Sequence, residues 1–392
     1  MGSVAFLFAG QGAQHPAMGV DLIEASPAAA EVFAIADEVR PGTSEQCQSA
    51  SKEELSRTEN TQPCVFVHDL AAAAALRERG VVPAACAGFS LGEVAALTFA
   101  GAFDTRAGFE LVCERAALMA AAAERHPGGM HAVIKLDAAQ VENLAAQAGE
   151  DCWPVNYNSP QQTVVAGAPE TLQELDVLVK EAGGRAMKVA VSGAFHSPYM
   201  AEATCGLAAY IEAGHAPSPL LIPVVANMTA APYPADPQAA SDVLAQQVSH
   251  AVRWVDTLHA LQDQGIDTFI EVGPGKTLSG LVRRTLSDVC VYSCETAEQV
   301  AEEEIEDETG LPAQYDAEQV EEAGGTEQDG GVLEETMQAL YPRTSGRRIS
   351  QTSPMENSTE SSDDASETSA QTTASDASEA PRRRRSNRHY DD

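Results

Sequence analysis

The chain has 392 residues, a formal net charge of −34 at pH 7 and 44% hydrophobic residues, enough for a sizeable core and more than one domain. This acidic balance argues against nucleic acid as a partner, and no apolar run approaches the length of a membrane span. Because no secretory leader precedes the first strand and the eight cysteines show neither C-x-x-C nor zinc spacing, we expect a cytoplasmic protein with free thiols and no metal.

Apolar strands and helices alternate from the start of the chain. A strand over 4–9 ends in a Gly-Gln-Gly turn, and an Ala-rich helix is predicted over 62–79. A second strand over 85–89 leads directly into a helix over 91–100, and a long helix over 106–125 stops at a Pro-Gly-Gly sequence. This alternation predicts an α/β domain.

The elements become shorter between residues 128 and 191. The pattern predicts strands at 130–136, 152–157, 163–166 and 185–191, with helices at 138–148 and 169–182. The resulting order, β-α-β-β-α-β, is typical of a ferredoxin-like subdomain. Alternation then resumes, with helices at 198–213, 239–249, 254–264 and 276–286 and strands at 222–226 and 268–272. We therefore predict a core formed by 1–127 and 192–296 with 128–191 inserted into it.

The composition changes near residue 297. Residues 297–392 contain 24 acidic and 8 basic residues and no Lys, and 350–380 are almost all small or polar. Such a segment has little apolar surface to bury, so we predict a mostly disordered tail. One short helix over 331–341 is compatible with the spacing of its apolar residues, and the run of four arginines at 382–385 is interpreted as solvated.

The sequence Gly88-Phe89-Ser90-Leu91-Gly92 is a G-x-S-x-G motif placed between a predicted strand and a predicted helix. The flanking glycines permit a sharp turn that exposes a serine hydroxyl. The free N–H groups at the start of the helix then face any negative charge that develops at the serine. This context predicts that Ser90 is a nucleophile.

A nucleophilic serine needs a base, and His196, at a loop–helix junction, is the best placed of nine histidines. His131 and His250 are alternatives with structural interpretations, and His196 itself could be a capping residue. No Asp or Glu between Ser90 and His196 stands out as its orienting partner, which argues against an ordinary α/β-hydrolase. Arg115, in an apolar helix, is either a surface residue or a residue whose guanidinium binds a substrate carboxylate through two hydrogen bonds.

Seven motifs, in order over residues 1–295, together resemble the malonyl-CoA:acyl carrier protein transacylases. They are Phe8-Ala9-Gly10-Gln11-Gly12-Ala13-Gln14; Gly88-Phe89-Ser90-Leu91-Gly92-Glu93; Arg115 with Met119; Asn156-Tyr157-Asn158-Ser159-Pro160; Phe195-His196-Ser197; Gln247 with Trp254; and Glu271-Val272-Gly273-Pro274-Gly275-Lys276. The resemblance implies an α/β-hydrolase-like core with a ferredoxin-like insertion.

The resemblance also implies a role for each matching residue. Ser90 is the nucleophile and His196 its base, which the backbone carbonyl of Gln247 orients in place of an acid. The backbone N–H groups of Gln11 and Leu91 form the oxyanion hole. The substrate-binding residues are Arg115, which holds the malonyl carboxylate, together with Met119, Phe195, Asn156 and Asn158; the two asparagines are equally compatible with a simple turn beside Pro160.

The implied reaction moves a malonyl group from malonyl-CoA to the phosphopantetheine thiol of holo acyl carrier protein, for fatty acid or polyketide synthesis. No cofactor besides the substrate is implied, and we expect a monomer. A serine thioesterase or esterase is the alternative enzyme, and an inactive interaction module is the alternative outside enzymes. Phe89 stands where the family usually has His, which leaves the nucleophile and base in place but changes a polar contact near the substrate. The Phe at position 195 resembles the residue that malonyl-selective members of the family carry at this position.

Overall fold

The computed structural model describes residues 3–302, and its elements follow the alternation expected from the sequence. The strands are β1 Ser3–Phe8, β2 Ala85–Gly88, β3 Gly129–Ile134, β4 Cys152–Ser159, β5 Gln162–Gly167, β6 Arg185–Lys188, β7 Val224–Val225, β8 Ile266–Val272 and β9 Cys290–Cys294. The helices are α1 Val20–Ala25, α2 Pro27–Val39, α3 Thr43–Ser49, α4 Lys52–Leu55, α5 Thr58–Glu78, α6 Leu91–Phe99, α7 Thr105–Arg125, α8 Ala138–Ala148, α9 Pro169–Glu181, α10 Ala201–Glu212, α11 Pro237–Gln246, α12 Trp254–Asp263, α13 Thr277–Thr285 and α14 Ala297–Glu302.

The larger sheet is parallel, with the strand order β7-β2-β1-β8-β9. In β1, side chains of Val4, Phe6 and Phe8 join the core formed with α5, α6 and α7. The alternate residues Ala5 and Leu7 join the apolar cluster of α12 and α13 on the other face. Helices therefore cover both faces, which explains why β1 is a continuous apolar run rather than an alternating one.

The smaller sheet is antiparallel, with the order β4-β5-β3-β6. Its element order is the predicted β-α-β-β-α-β, and α8 and α9 share an apolar cluster with β3 and β5. The last strand is shorter than predicted, because only Arg185–Lys188 pairs with β3. The chain is thus a mixed α/β protein with a parallel sheet and a small antiparallel sheet. The strands of the small sheet lie between β2 and β7 in the chain.

Three loops meet at the carboxyl end of the parallel sheet. β1 ends before Gly10 and Gln11, β2 ends before Phe89 and Ser90, and β8 ends before Gly273. The backbone N–H of Phe89 donates to the carbonyl of Phe8 at 3.0 Å, which ties the loop after β2 to the end of β1. Such an edge is where open α/β sheets bind ligands.

The described fold continues past the boundary predicted at residue 297. Helix α14 follows β9, the backbone N–H of Ala297 donates to Asp21 Oδ2 at 2.6 Å, and the side chain of Val300 is buried. The sequence did not predict this short helix, because only one of its residues has a large apolar side chain. The rest of the predicted tail, with its helix at 331–341 and its arginines at 382–385, lies outside the described residues.

None of the helices within residues 3–302 is long and apolar enough to cross a membrane. The same residues contain no group of three or more His, Cys, Asp or Glu arranged to hold a metal ion.

Val300→Ala should lower the melting temperature, because the side chain is only 5% exposed and truncation removes apolar contacts with the core. We expect a decrease of roughly 2–4 °C for a loss of about 1 kcal/mol. Val177→Ala is the control, since Val177 is 51% exposed and should change the melting temperature little. Equal shifts for both variants would contradict the docking of α14.

Candidate active site

Ser90 lies in a strained turn between β2 and α6. Its backbone has φ 57° and ψ −104°, a conformation that non-glycine residues rarely adopt. The turn is tight: a Cβ on Gly88 would lie 1.9 Å from the backbone of Gly92, and one on Gly92 would lie 2.2 Å from the carbonyl oxygen of Phe8. Glycine is therefore required on both sides of the serine, as the G-x-S-x-G motif predicts.

The Ser90 hydroxyl is hydrogen-bonded to His196, with Oγ 2.7 Å from Nε2. On the other side of the ring, Nδ1 lies 3.1 Å from two backbone carbonyls, those of Gln247 and His250. Carbonyl oxygens only accept hydrogen bonds, so Nδ1 carries the proton and Nε2 is the acceptor. The imidazole is in the tautomer that can take the proton of the serine hydroxyl.

Burial lowers the pKa of His196 to about 4, and the positive charge of Arg115 lowers it in the same direction. The imidazole is therefore neutral at neutral pH and available as a proton acceptor. Two carboxylates between Ser90 and His196 in the chain, Asp137 and Asp176, make other contacts: Asp176 lies 2.7 Å from His131, and Asp137 caps α8. Two carbonyls occupy the position of the orienting acid.

Arg115 is a buried cation beside Ser90. Only 1% exposed, it donates from Nη2 to Ser90 Oγ at 3.1 Å and to Gln247 Oε1 at 2.9 Å, and from Nη1 to the Gln62 side chain. Burial lowers its pKa to about 10, partly offset by Glu93, so the group stays charged at neutral pH. Within residues 3–302, no carboxylate lies at ion-pair distance from it.

Two backbone N–H groups near the serine are free to bind an anion. Leu91 is the first residue of α6. Gln11 lies in the loop after β1, and this loop packs so closely against the turn that a Cβ on Gly10 would lie 2.5 Å from the Phe89 carbonyl oxygen. In the described part of the chain, neither the Leu91 nor the Gln11 N–H has a backbone or side-chain acceptor. The Gln11 side chain is directed to Thr58 Oγ1 at 3.3 Å.

The remaining predicted residues differ in how close they come to this network. Met119 is buried, and its sulfur accepts from Gln62 Nε2 at 3.4 Å, next to Arg115. Phe195 is buried in the core immediately before His196. Asn156 and Asn158 lie on β4 with unpaired Oδ1 atoms, and no hydrogen bond among the described residues joins either to Ser90, His196 or Arg115.

Phe89, which stands where a polar residue was expected, packs its ring edge-on against Trp254, with the ring centroids 5.3 Å apart. A phenyl ring has no hydrogen-bonding group, so the side chain at this position makes an apolar contact only.

Sequence reasoning missed three residues that complete the site. Gln62 and Asn227 were given no role, yet Gln62 accepts from Arg115 and Asn227 Oδ1 accepts from the Ser90 N–H at 2.8 Å. Tyr233 donates to the buried carboxyl of Glu93. A usable signal existed for Asn227, because it directly follows the strand predicted over 222–226 and so lies at the carboxyl edge of the sheet.

Comparison with known proteins gives one consistent result. The family model described as "Acyl transferase domain" matches residues 5–324. A malonyl CoA-acyl carrier protein transacylase from Synechocystis is 37% identical over 286 residues, which are 73% of this chain and 94% of that protein. Another, from Bacillus subtilis, is 35% identical over 306 residues, covering 76% and 96%.

A solved structure of a type II PKS acyl-carrier protein in complex with its malonyl-transacylase is also similar. The TM-score is 0.73 at 32% identity, covering 76% of this chain and 98% of that one.

The rate at which Ser90 reacts with a small phosphonofluoridate should depend on pH through His196. Because the ring must be neutral to accept the proton and its pKa is lowered to about 4, the rate should fall only as the pH decreases towards that value. The measurement is the labelling rate by mass spectrometry, with Ser90→Ala as the unlabelled control and tryptophan fluorescence as the check on folding. A rate that falls with a midpoint near the ordinary histidine value would contradict the assignment.

Proposed function

The chain belongs to the acyl transferase domain family, and we propose that it is an [acyl-carrier-protein] S-malonyltransferase with Ser90 as nucleophile. The observation that carries the proposal is the buried guanidinium of Arg115 at 3.1 Å from Ser90 Oγ. A malonyl group on that oxygen has its carboxylate only two carbons beyond the ester carbonyl carbon. A cation at this distance fits a malonyl group and has no partner in an acetyl group.

In the first half-reaction, Ser90 Oγ attacks the thioester carbon of malonyl-CoA while His196 Nε2 takes the hydroxyl proton. The carbonyl oxygen becomes an oxyanion, which the backbone N–H groups of Gln11 and Leu91 stabilise; losing one such donor typically costs about 3–4 kcal/mol. The carbon–sulfur bond then breaks, and the CoA thiolate takes the proton from the imidazolium. The product is a malonyl ester on Ser90.

The second half-reaction reverses these steps with a different thiol. The phosphopantetheine thiol of holo acyl carrier protein gives its proton to His196 and attacks the ester carbon. The bond to Ser90 breaks, and the serine oxygen regains a proton from the imidazolium. The similar complex of an acyl-carrier protein with its malonyl-transacylase supports this partner. The chemistry is the same for fatty acid and for polyketide synthesis.

The alternative of a serine thioesterase or esterase does not explain Arg115, because water needs no carboxylate clamp. Gln62 and Gln247 hold both terminal nitrogens of the guanidinium with neutral oxygens. Such partners fix the orientation of the cation and leave its charge available for a substrate anion. An inactive interaction module would have no need for the neutral His196 tautomer at Ser90.

The finer description of the fold is part of this proposal. The parallel sheet with 1–127 and 192–296 is taken as an α/β-hydrolase-like core, and the order β4-β5-β3-β6 supports a ferredoxin-like subdomain over 128–191. Residues 297–392 are proposed as a tail beyond the catalytic unit, with α14 as its docked start. Serine and histidine suffice for the reaction, so we propose no resident cofactor, and we propose a monomeric enzyme acting in the cytoplasm.

The function is tested by mixing the protein with malonyl-CoA and holo acyl carrier protein and following both masses. We expect a malonyl adduct on the enzyme before malonyl appears on the carrier. Ser90→Ala should give neither product while keeping its fold, because only one oxygen is lost. Malonyl release to water as the sole outcome would favour the hydrolase, and an adduct on Ser90→Ala would contradict the nucleophile.

Arg115→Ala should reverse the preference for malonyl-CoA over acetyl-CoA. Malonyl transfer should fall by about 100-fold or more, because the carboxylate is left unpaired in a buried site, whereas acetyl transfer should change little. kcat/KM for each substrate is the measurement. Arg106→Ala, which removes an exposed arginine of the same helix, should leave both values unchanged. Equal losses on the two substrates would count against the clamp.

Phe195→Ser should raise the use of methylmalonyl-CoA relative to malonyl-CoA, because the ring precedes His196 and is proposed to limit the space at the substrate α-carbon. A single methyl group is worth about 1–3 kcal/mol of discrimination, so the change should be partial. The measurement is the ratio of the two kcat/KM values. Phe103→Ser, at a buried phenylalanine outside the described site, should leave that ratio unchanged. An unchanged ratio in Phe195→Ser would exclude this role.

A further inference from the structure

We propose that Asn227 is a positioning residue, which holds the strained turn of Ser90 in its reactive geometry with Glu93 and Tyr233 behind it. The identity of the acyl group rests on the proposed function, but the positioning of the serine does not. Asn227 is fully buried and follows the short strand β7.

The Asn227 side chain bridges the two ends of the turn. Its Oδ1 accepts from the backbone N–H of Ser90 at 2.8 Å, and its Nδ2 donates to the backbone carbonyl of Gly88 at 2.7 Å. These two groups flank Phe89, so one planar amide fixes the peptide on both sides of the residue before the nucleophile. A strained backbone persists only where its surroundings hold it, and this amide supplies that restraint.

The other peptide group of the serine is held by Gln247. Its Nε2 donates to the Ser90 carbonyl at 2.7 Å, while its Oε1 accepts from Arg115. Asn227 and Gln247 therefore bind the N–H and the C=O of the same residue. With both peptide groups fixed, the Ser90 side chain leaves the turn in the direction of His196.

Asn227 is itself held from both sides. Its backbone N–H donates to Glu93 Oε2, and its carbonyl accepts from the Arg253 N–H at 2.9 Å. Glu93 lies in the first turn of α6, is fully buried, and accepts from the hydroxyl of Tyr233 at its other oxygen. This series of buried hydrogen bonds connects α6, the helix that follows the serine, with the segment that follows strand β7. Burial raises the pKa of Glu93 to about 7, and the hydrogen bond from Tyr233 opposes that shift.

The position requires an amide rather than a polar side chain in general. The turn presents a donor, the Ser90 N–H, and an acceptor, the Gly88 carbonyl, side by side. Asn and Gln carry a neighbouring acceptor and donor whatever the pH, whereas a carboxyl group does so only when it is protonated; Gln is one methylene longer than Asn. An ionised Asp keeps the acceptor but has no donor for Gly88.

The experiment compares Asn227→Ala and Asn227→Asp with the wild type in two assays. The first is the rate constant for labelling of Ser90 by a small phosphonofluoridate, which carries no malonyl group and no carboxylate for Arg115 to bind. The second is malonyl transfer, analysed as kcat and KM. Asn143→Ala, at an exposed asparagine of α8, is the matched control. The amplitude of labelling gives the folded fraction, and Asn227→Asp covers the case in which truncation prevents folding.

We expect both variants to lower the labelling rate constant and kcat by at least about tenfold, since small displacements of a reacting group have large effects on rate. KM for malonyl-CoA should stay within about twofold because Arg115 is retained. Tyr233→Phe should give a smaller decrease in the same two rates, about 2- to 10-fold for one lost hydrogen bond.

Wild-type labelling rate constants in both Asn227 variants, even with a lower melting temperature, would overturn the proposal. A raised KM with unchanged kcat would overturn it as well. If the wild type is labelled at Ser90 but forms no malonyl adduct, the proposed function fails, whereas the role of Asn227 is still decided by the labelling rates.

Discussion

The site depends on one unusual electrostatic arrangement, a buried guanidinium whose hydrogen-bond partners are all neutral. Removing a charge from water is costly unless it is paired. Arg115 is instead held by Gln62, Gln247 and the hydroxyl of Ser90. The cation acts on its neighbours: it adds to the lowering of the pKa of His196 by burial, and it opposes the rise in the pKa of Glu93 that burial causes. Under the proposed function, the malonyl carboxylate is the missing counter-ion.

The parallel sheet brings the parts of this arrangement together. The loops after β1 and β2 meet at its carboxyl edge, and the close contact of Gly92 with the end of β1 fixes their distance. His196 follows the last strand of the small antiparallel sheet in the chain, and its Nδ1 is held by the carbonyls of Gln247 and His250. Arg115 and His196 therefore share Gln247, whose side-chain oxygen accepts from the guanidinium and whose backbone carbonyl accepts from His196 Nδ1.

The sequence predicted the structure formed by residues that are close together in the chain, and it missed contacts between residues that are far apart in the chain. The strand, turn and helix around Ser90 lie within a few residues of one another, so their pattern was sufficient. For His196 and Arg115, the residues alone left alternative interpretations open, and the resemblance decided between them. Asn227 reaches Ser90 across 137 residues, and no periodicity records such a contact. The strand β9 was not predicted, because four of its five residues are at least partly exposed and its place at the sheet edge is a tertiary property.

The most direct test of the central claim is a crystal structure of the malonyl-enzyme, trapped by soaking with malonyl-CoA. The account predicts an ester on Ser90 Oγ with its carboxylate paired to the Arg115 guanidinium, which then no longer donates to the ester oxygen. It also predicts the ester carbonyl oxygen between the N–H groups of Gln11 and Leu91. A malonyl carboxylate directed to solvent, with Arg115 still bound only to Gln62 and Gln247, would contradict the account.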